Sequence, residues 1–285
     1  MDIEVGDLRF AYHDREILRG ISLSLRSGEF LGLLGPNGSG KSTFLKTLLG
    51  FLKGRGRIVF SGLSGAGGPS ASADPSATAD RSRLLAFVPQ RPGLSMPLPV
   101  RDLVIMGRLP HLRSRWAGYD AADRQKVAAV LSALGIEDLA DRDVTTLSGG
   151  EAQKVIIARC LVQEGEFLLL DEVTNGLDLN HTIEIMELMR RKADEEGKGI
   201  VAVFHDLNLA AQYCDRIVIL KEGSVRGQGS PEEILTEELV EEIYGIRPLV
   251  LPGKDGKPII LPRRDPKALP PPEKQEEGSA SASLP

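Results

Sequence analysis

The sequence predicts an α/β protein whose central sheet is mainly parallel and covered on both faces. Three short and nearly continuous apolar runs, at 167–170, 200–204 and 216–220, have the length and composition of buried strands. Two helical patterns precede them, at 120–134 and 151–161, with apolar residues three and four positions apart. Alternation of strands with helices favours a parallel sheet, because each parallel strand needs a long crossover connection.

The N-terminal third has a different pattern. Residues 3–10 and 21–25 alternate apolar with polar side chains, which predicts two half-buried antiparallel strands. Residues 29–34 form a compact apolar run and predict a buried strand. We therefore expect a small antiparallel β unit before the parallel sheet.

Two segments have the composition of flexible chain. Residues 61–82 are mostly Gly, Ala, Ser and Pro, so they cannot bury enough apolar surface to offset the entropy of ordering. We expect a surface loop there, inserted between strands at 57–60 and 84–88. The proline-rich stretch 248–285 becomes rich in Ser and Ala near its end, and we expect at least 278–285 to be disordered.

Composition excludes several classes of protein. A length of 285 residues suits about two domains, or one large domain with an inserted subdomain. The net charge of −5, with no dense block of Lys or Arg, argues against nucleic acid as a partner. No apolar run approaches the roughly 18 residues of a membrane span, and the first residues do not resemble an export signal. Cys160 and Cys214 stand in apolar segments and are expected to be reduced core residues.

The strongest local motif is a phosphate-binding loop between a strand and a helix. It fits G-x-x-x-x-G-K-[ST] and comprises Gly35, Pro36, Asn37, Gly38, Ser39, Gly40, Lys41, Ser42 and Thr43. Backbone N–H groups in such a loop surround phosphate oxygens, Lys41 reaches the β- and γ-phosphates, and Ser42 ligates Mg²⁺. Taken alone, the loop could also be a glycine-rich turn that caps a helix.

Two carboxylates follow the apolar strand at 167–170. Asp171 can hold Mg²⁺ directly or through water, and Glu172 can polarise the water that attacks the γ-phosphate. An acidic pair after a strand is more often only the start of a loop. The preceding phosphate loop favours the catalytic interpretation instead, because ligands of open α/β sheets bind at the carboxyl ends of the strands.

A third motif precedes the helical pattern at 151–161. It consists of Leu147, Ser148, Gly149, Gly150 and Glu151. Ser148 can simply cap the helix. The same free N–H groups at a helix N-terminus can instead bind an anion, here a second face of the same triphosphate.

Taken in order, these motifs resemble the ATPase subunit of an ABC transporter over about residues 2–245. The series runs from the phosphate loop through Gln90, LSGGE at 147–151, LLLLDE at 167–172, GLD at 176–178 and VFHD at 203–206. The resemblance implies an ABC ATPase cassette over 1–245. Such a cassette has a RecA-like parallel-sheet core, an N-terminal antiparallel β subdomain and an inserted α-helical subdomain at about 91–165. Residues 246–285 would then be a proline-rich, partly disordered extension.

The resemblance also implies roles for single residues, with ATP and Mg²⁺ as the nucleotide and metal. Tyr12 is similar to the aromatic residue that stacks on adenine, although it could be an ordinary strand-face residue. Gln90 resembles the residue that touches Mg²⁺ or the attacking water and links the nucleotide to the membrane partner. His205 resembles the switch histidine that contacts the γ-phosphate and orients Glu172, and Asp178 resembles an aspartate at the subunit interface.

In this family the phosphate loop and the LSGGE motif face each other across two subunits, so the resemblance implies a head-to-tail homodimer with ATP between its halves. The segment 96–111 and the pattern 204–210 are similar to ATPases of iron-siderophore, haem and cobalamin importers. This implies a peripheral location on the cytoplasmic face of the membrane, with integral-membrane permease subunits and, indirectly, a substrate-binding protein. From the resemblance we expect an importer ATPase that powers uptake of an iron chelate of the siderophore type or a related metal complex. Haem, cobalamin or molybdate import, a soluble non-transport ABC ATPase and a degenerate ATP-binding regulator remain alternatives.

Three residues depart from the family pattern. Val173 stands where the family usually has Pro, and Asn175 and Gly176 replace the commoner Ser and Ala. The exchange of Pro for Val frees a backbone N–H and the φ angle beside Glu172. Since every charge of the motif is retained, we expect catalysis to be retained.

Overall fold

The computed structural model describes residues 1–61, 81–90, 93–112, 118–253 and 255–263. All but residues 61, 81 and 82 of the predicted loop at 61–82 lie outside this part of the chain, and so does the predicted disordered end at 278–285. The strands of the described residues are β1 (Asp2–Tyr12), β2 (Arg15–Arg26), β3 (Phe30–Leu34), β4 (Arg55–Ser61), β5 (Leu85–Val88), β6 (Phe167–Asp171), β7 (Gly199–Val203), β8 (Arg216–Lys221), β9 (Ser224–Gly229), β10 (Leu249–Pro252) and β11 (Pro258–Leu261).

The helices account for most of the middle of the chain. The α-helices of the described residues are α1 (Lys41–Leu48), α2 (Val100–Ile105), α3 (Ala121–Ala133), α4 (Gly149–Val162), α5 (Leu179–Asp194), α6 (Leu207–Tyr213), α7 (Pro231–Ile234) and α8 (Glu237–Tyr244). Short 3₁₀ helices cover Met106–His111, Glu137–Leu139 and Val144–Thr146. No helix in this part of the chain is long and apolar enough to span a membrane.

The central sheet has six strands in the order β5-β6-β7-β3-β8-β9. The first five are parallel, and β9 is an antiparallel edge strand. Every residue of β3, β6 and β7 is buried, as expected for strands covered on both faces. The predicted α/β class with a mainly parallel sheet is confirmed.

This strand order determines where the motifs meet. The phosphate loop follows β3, Asp171 ends β6, His205 lies just after β7, and Gln90 lies just after β5. These four strands are parallel neighbours in the sheet, so their carboxyl ends lie along one edge. Residues far apart in the sequence therefore meet there, at the usual location of ligands in such sheets.

The predicted N-terminal antiparallel unit is confirmed and is longer than the sequence pattern indicated. It is a three-stranded sheet in the order β2-β1-β4. Its inward side chains, among them Ile3 and Leu18, form one hydrophobic core with α1 and one face of the central sheet. Phe44 and Leu48 of α1 are fully buried in that core, which fixes the helix that begins at the phosphate loop.

A larger core lies on the other face of the central sheet. Helices α2, α3 and α4 pack against one another there, together with α5 and α6. Helix α3 begins at a capping box formed by Asp120 and Asp123, which satisfies N–H groups at the helix start. Cys160 and Cys214 are buried and unpaired in this core, as the sequence predicted.

The chain beyond α8 contains a β-hairpin that the sequence did not reveal. Strands β10 and β11 pair antiparallel, and β11 packs on α6. Asn208 of α6 donates to the Ile260 carbonyl at 3.0 Å and accepts from the Ile260 N–H at 2.8 Å. The Ile260 side chain enters the larger core. These two strands were not predicted because each is only four residues long and both lie in a proline-rich stretch.

Candidate nucleotide site

The backbone of the phosphate loop is shaped by its glycines. Gly35 has φ of 140°, and a Cβ atom there would lie 2.0 Å from the Leu220 carbonyl oxygen. Only glycine fits this close approach of β8. At Gly38, with φ of 79°, a Cβ atom would meet no described atom within 4 Å. The loop is therefore tightly held at its start and open at its tip, where a phosphate would approach.

Lys41 is the buried cation of this loop. Its ammonium group donates to the carbonyl oxygens of Gly35 at 2.7 Å and Pro36 at 3.1 Å. Burial lowers the pKa of Lys41, while Glu172 and Asp171 oppose that shift. The nearby Ser39 hydroxyl is buried and has no hydrogen-bond partner among the described residues. A buried cation beside an unpaired hydroxyl suits an anionic ligand better than a closed helix cap.

Ser42 and Asp171 are brought together from α1 and β6. The Ser42 hydroxyl donates to Asp171 Oδ1 at 2.9 Å. Burial raises the pKa of Asp171, and the hydrogen bond from Ser42 opposes that shift. Hydroxyl and carboxylate oxygens are hard ligands of the kind that Mg²⁺ prefers, and Mg²⁺ sites commonly take their other ligands from phosphates and water. This pair fits one side of such a site.

Glu172 has an unusual backbone and a crowded carboxylate. Its φ is 53°, a left-handed conformation that is uncommon for non-glycine residues. His205 Nε2 lies 2.6 Å from Glu172 Oε1. The Gln90 amide donates to Oε2, and Asn175 Nδ2 donates to the same oxygen at 2.8 Å. The structure thus brings three of the predicted residues together and adds Asn175, which sequence reasoning did not assign to the site.

The segment around Glu172 is also fixed by packing. Val173, which stands where the family usually has Pro, is buried in the larger core. The Asn175 backbone N–H donates to the Glu172 carbonyl at 3.1 Å. The departure at Val173 therefore does not leave the segment loose, because side-chain burial replaces the restraint of a proline ring.

Ser148 caps α4 through a capping box with Glu151. The Glu151 N–H donates to Ser148 Oγ at 3.3 Å, and the Ser148 N–H donates to Glu151 Oε2 at 2.7 Å. Leu147 packs against the larger core. At Gly149 and Gly150 a Cβ atom would meet no described atom within 4 Å. Ser148 therefore caps α4, as one of the two interpretations predicted. The surface at Gly149 and Gly150 remains free of described atoms that would block a ligand.

The LSGGE motif does not meet the phosphate loop within this chain. Ser148, Gly150 and Glu151 share a cleft of about 390 Å³ with Gly176 and Asp178, and no phosphate-loop residue lines it. Asp178 caps α5 by accepting from the His181 N–H at 2.9 Å, and its hydrogen bonds to His181 lower the pKa of Asp178. The two predicted phosphate-binding motifs therefore form separate parts of the surface.

Tyr12 lies at the exposed end of β1. The residue is 46% exposed, and its ring packs edge-on against Phe10, with 4.7 Å between ring centroids. Strand β2, which pairs with β1, approaches the phosphate loop, where Leu18 and Ile17 lie within 4 Å of a Cβ built at Gly40. Tyr12 is thus an exposed aromatic side chain on a hairpin that borders the loop.

The importer-like segment at 96–111 is anchored by its polar residues. Arg108 is buried and donates to Asp123 and Glu164 at 2.9 and 2.8 Å. His111 Nε2 lies 2.7 Å from the Gln163 carbonyl oxygen, and the described residues contain no cluster of His, Cys, Asp or Glu suited to a metal. Met106 and Leu109 of the same segment are exposed. The buried apolar residues of α2 and the polar contacts of Arg108 and His111 therefore both anchor the segment, while Met106 and Leu109 remain at the surface.

The strand–loop–helix geometry at Gly35–Thr43, with Lys41 and the Ser42–Asp171 pair, defines a P-loop nucleotide-binding protein. The family model described as ABC transporter matches residues 18–175. The chain belongs to the ABC transporter family, and its resemblance to importer ATPases is borne out by the relatives.

Two curated relatives show the extent of the similarity. The chain is 38% identical over 255 residues to the petrobactin import ATP-binding protein of Bacillus anthracis, covering 89% of this chain and 90% of that protein. It is also 38% identical over 248 residues to the cobalamin import ATP-binding protein of Halobacterium salinarum, covering 87% of this chain. Of that second protein's length, the chain spans only 60%.

Solved structures share the fold over nearly the whole chain. An inward-facing metal-chelate type ABC transporter matches with a TM-score of 0.75 and 27% identity, covering 92% of this chain and 97% of that chain. The dimeric structure of a bacterial ABC transporter cassette matches with a TM-score of 0.70 and 29% identity, covering 80% and 98%. The predicted ABC ATPase cassette fold is confirmed.

Proposed function

We propose that this chain is the Mg²⁺-dependent, ATP-hydrolysing subunit of an ABC importer. The observation that carries the proposal is the position of Glu172 at the carboxyl end of β6. Its carboxylate contacts His205 and accepts a hydrogen bond from Gln90. Glu172 directly follows Asp171, which accepts a hydrogen bond from Ser42. A carboxylate beside a phosphate-binding loop has the chemistry of a general base for a water that attacks the γ-phosphate.

The residues divide the work of phosphoryl transfer. The backbone from Gly35 to Thr43 surrounds the phosphates, and Lys41 exchanges its two carbonyl partners for phosphate oxygens. Ser42, Asp171 and Gln90 would hold Mg²⁺. When bound, Mg²⁺ neutralises charge on the β- and γ-phosphates.

Glu172 accepts the proton of the attacking water, and His205 holds Glu172 and contacts the γ-phosphate. Tyr12 stacks on the adenine ring.

We propose that the nucleotide is shared by two copies of this chain arranged head to tail. Ser148 and Gly150 line a cleft that contains no phosphate-loop residue, and no described atom blocks a ligand at Gly149 and Gly150. The LSGGE motif of each copy can therefore face the phosphate loop of the other copy. The glycine N–H groups at the start of α4 suit a second face of the triphosphate. Asp178 lies beside them, at the same surface. The dimeric bacterial cassette structure supports the dimer itself.

A site split between two copies couples hydrolysis to movement. ATP bound on both faces favours the closed dimer, and loss of the γ-phosphate removes contacts to Ser148, Gly150 and His205. Differential affinity of this kind shifts a population between two states. A permease that is attached to both copies would follow that change.

We further propose that the partner is an integral-membrane permease on whose cytoplasmic face this chain docks, with a substrate-binding protein acting indirectly. Met106 and Leu109 are exposed on a segment that Arg108 and His111 fix to the helical part of the protein. The cargo we propose is an iron chelate of the siderophore type, or a related metal complex. The petrobactin and cobalamin importer relatives and the metal-chelate transporter structure support this class of cargo.

Uptake in native cells tests the proposal. Cells that carry either the wild type or Glu172→Gln are given labelled ferric siderophore, haemin, cobalamin and molybdate. We expect the variant to abolish uptake of one chelate, and that chelate names the cargo. Glu166→Gln is the matched control, because Glu166 pairs with Lys198 away from the site. Unchanged uptake of all four, with the variant protein present and folded, would contradict this proposal and favour a soluble ABC ATPase.

A further inference from the structure

A tyrosine near the end of the described chain touches the phosphate loop. The backbone N–H of Gly35 donates to the Tyr244 hydroxyl at 3.1 Å, although the two residues are 209 positions apart. Tyr244 is the last residue of α8. The motifs of the site do not include it, and nothing in the local sequence links it to the loop.

Helix α8 is well fixed, so the position of this hydroxyl is well defined. Val240 and Ile243 of α8 are buried in the larger core. Lys221 at the end of β8 donates to the Glu242 carbonyl at 2.7 Å, and Arg226 of β9 pairs with the Glu242 carboxylate. The helix ends at Gly245 with φ of 73°, the left-handed conformation that glycine adopts readily. Tyr244 is thus held by the sheet edge and not by the loop alone.

Both backbone polar groups of Gly35 make hydrogen bonds. Its N–H donates to Tyr244, and its carbonyl oxygen accepts the Lys41 ammonium at 2.7 Å. The backbone of β8 at Leu220 leaves no room for a side chain at Gly35. Farther along the loop, the Gly223 N–H donates to the Ser39 carbonyl at 3.1 Å. The loop is therefore braced from the C-terminal half of the chain before any ligand binds.

We propose that Tyr244 is a positioning residue for the phosphate loop. Its hydroxyl fixes the Leu34–Gly35 peptide group, and only the φ and ψ angles of Gly35 separate that group from the Gly35 carbonyl, which Lys41 leaves when phosphate binds. A loop already held in its binding conformation loses less entropy when it binds a ligand. Tyr244 thus contributes to nucleotide affinity without touching nucleotide, and the inference rests on the nucleotide-binding function proposed above.

The test is Tyr244→Phe, which removes only the hydroxyl and keeps the partly buried ring. We expect the dissociation constant for ATP, measured by calorimetric titration, to rise about 10-fold, because the buried Gly35 N–H loses its acceptor and the loop loses its restraint. The KM for ATP should rise by a similar factor, while kcat changes little. Tyr213→Phe is the matched control, since that hydroxyl bonds Glu187 of α5 outside the site.

The outcomes separate positioning from general stability. A rise in the ATP dissociation constant for Tyr244→Phe alone, at a temperature where both variants are folded, supports the proposal. Equal ATP affinity of Tyr244→Phe and wild type would overturn it, and so would an equal loss in both tyrosine variants. If the wild type itself binds ATP but does not hydrolyse it, the proposed ATPase function fails, while the binding titration still decides the role of Tyr244.

Discussion

Glu172→Gln is expected to lower ATP turnover about 10²–10⁴-fold, the usual contribution of a positioned general base. Glutamine keeps the size of the side chain and can still bond to His205 and Asn175, but it cannot accept the proton of the attacking water. ATP binding should persist, because the phosphate loop, Lys41 and the Ser42–Asp171 pair are unchanged. The measurement is steady-state phosphate release, with ATP binding measured on the same preparation.

The matched control for this prediction is again Glu166→Gln. Its carboxylate pairs with Lys198 at 3.3 Å outside the nucleotide site, so its turnover should equal that of the wild type. Equal turnover in Glu172→Gln and wild type would remove Glu172 from its assigned role. Loss of both turnover and ATP binding would show instead that the side chain holds the site together.

Lys41→Met is expected to reduce kcat/KM for ATP about 10²–10³-fold, the usual cost of removing one group that stabilises transition-state charge. The site is buried, and methionine is unbranched and apolar, so the variant should fold. Unlike Glu172→Gln, it should also weaken ATP binding, because Lys41 is the buried cation of the loop.

Lys53→Met provides the surface comparison for Lys41→Met, since Lys53 lies exposed beyond the end of α1. Phosphate release and ATP titration should match the wild type for Lys53→Met. An ATP affinity of Lys41→Met equal to that of wild type would show that the ammonium group does not reach the phosphates. Its two carbonyl contacts in the loop would then be its whole role.

The main parts of the fold and site were predictable because their signals are local. The phosphate loop and the LLLLDE strand are contiguous motifs, and the alternation of strands with helices places both at the carboxyl edge of a parallel sheet. The N-terminal strands were also evident from alternation, although β1 and β2 extend beyond the predicted ranges. In these segments local pattern and tertiary packing agree.

The remaining features depend on contacts that no local pattern encodes. The hydrogen bond between Gly35 and Tyr244 joins residues 209 positions apart, and the packing of α8 on the sheet edge creates it. The contact from Asn175 to Glu172 needs the positive φ of Glu172, a conformation that sequence propensity does not favour. The hairpin of β10 and β11 is fixed to α6 by the two hydrogen bonds between Asn208 and Ile260, which no local pattern encodes.

The most direct test of the central claim, a nucleotide site completed by a second copy, mixes two inactive variants. Lys41→Met disables the phosphate loop, and Ser148→Arg blocks the LSGGE edge. In a head-to-tail dimer, a mixed pair contains one site in which both motifs are intact, whereas either variant alone contains none. We predict that each variant alone lacks ATPase activity and that the mixture recovers it. A mixture as inactive as its components, or full activity of Ser148→Arg alone, would contradict the account.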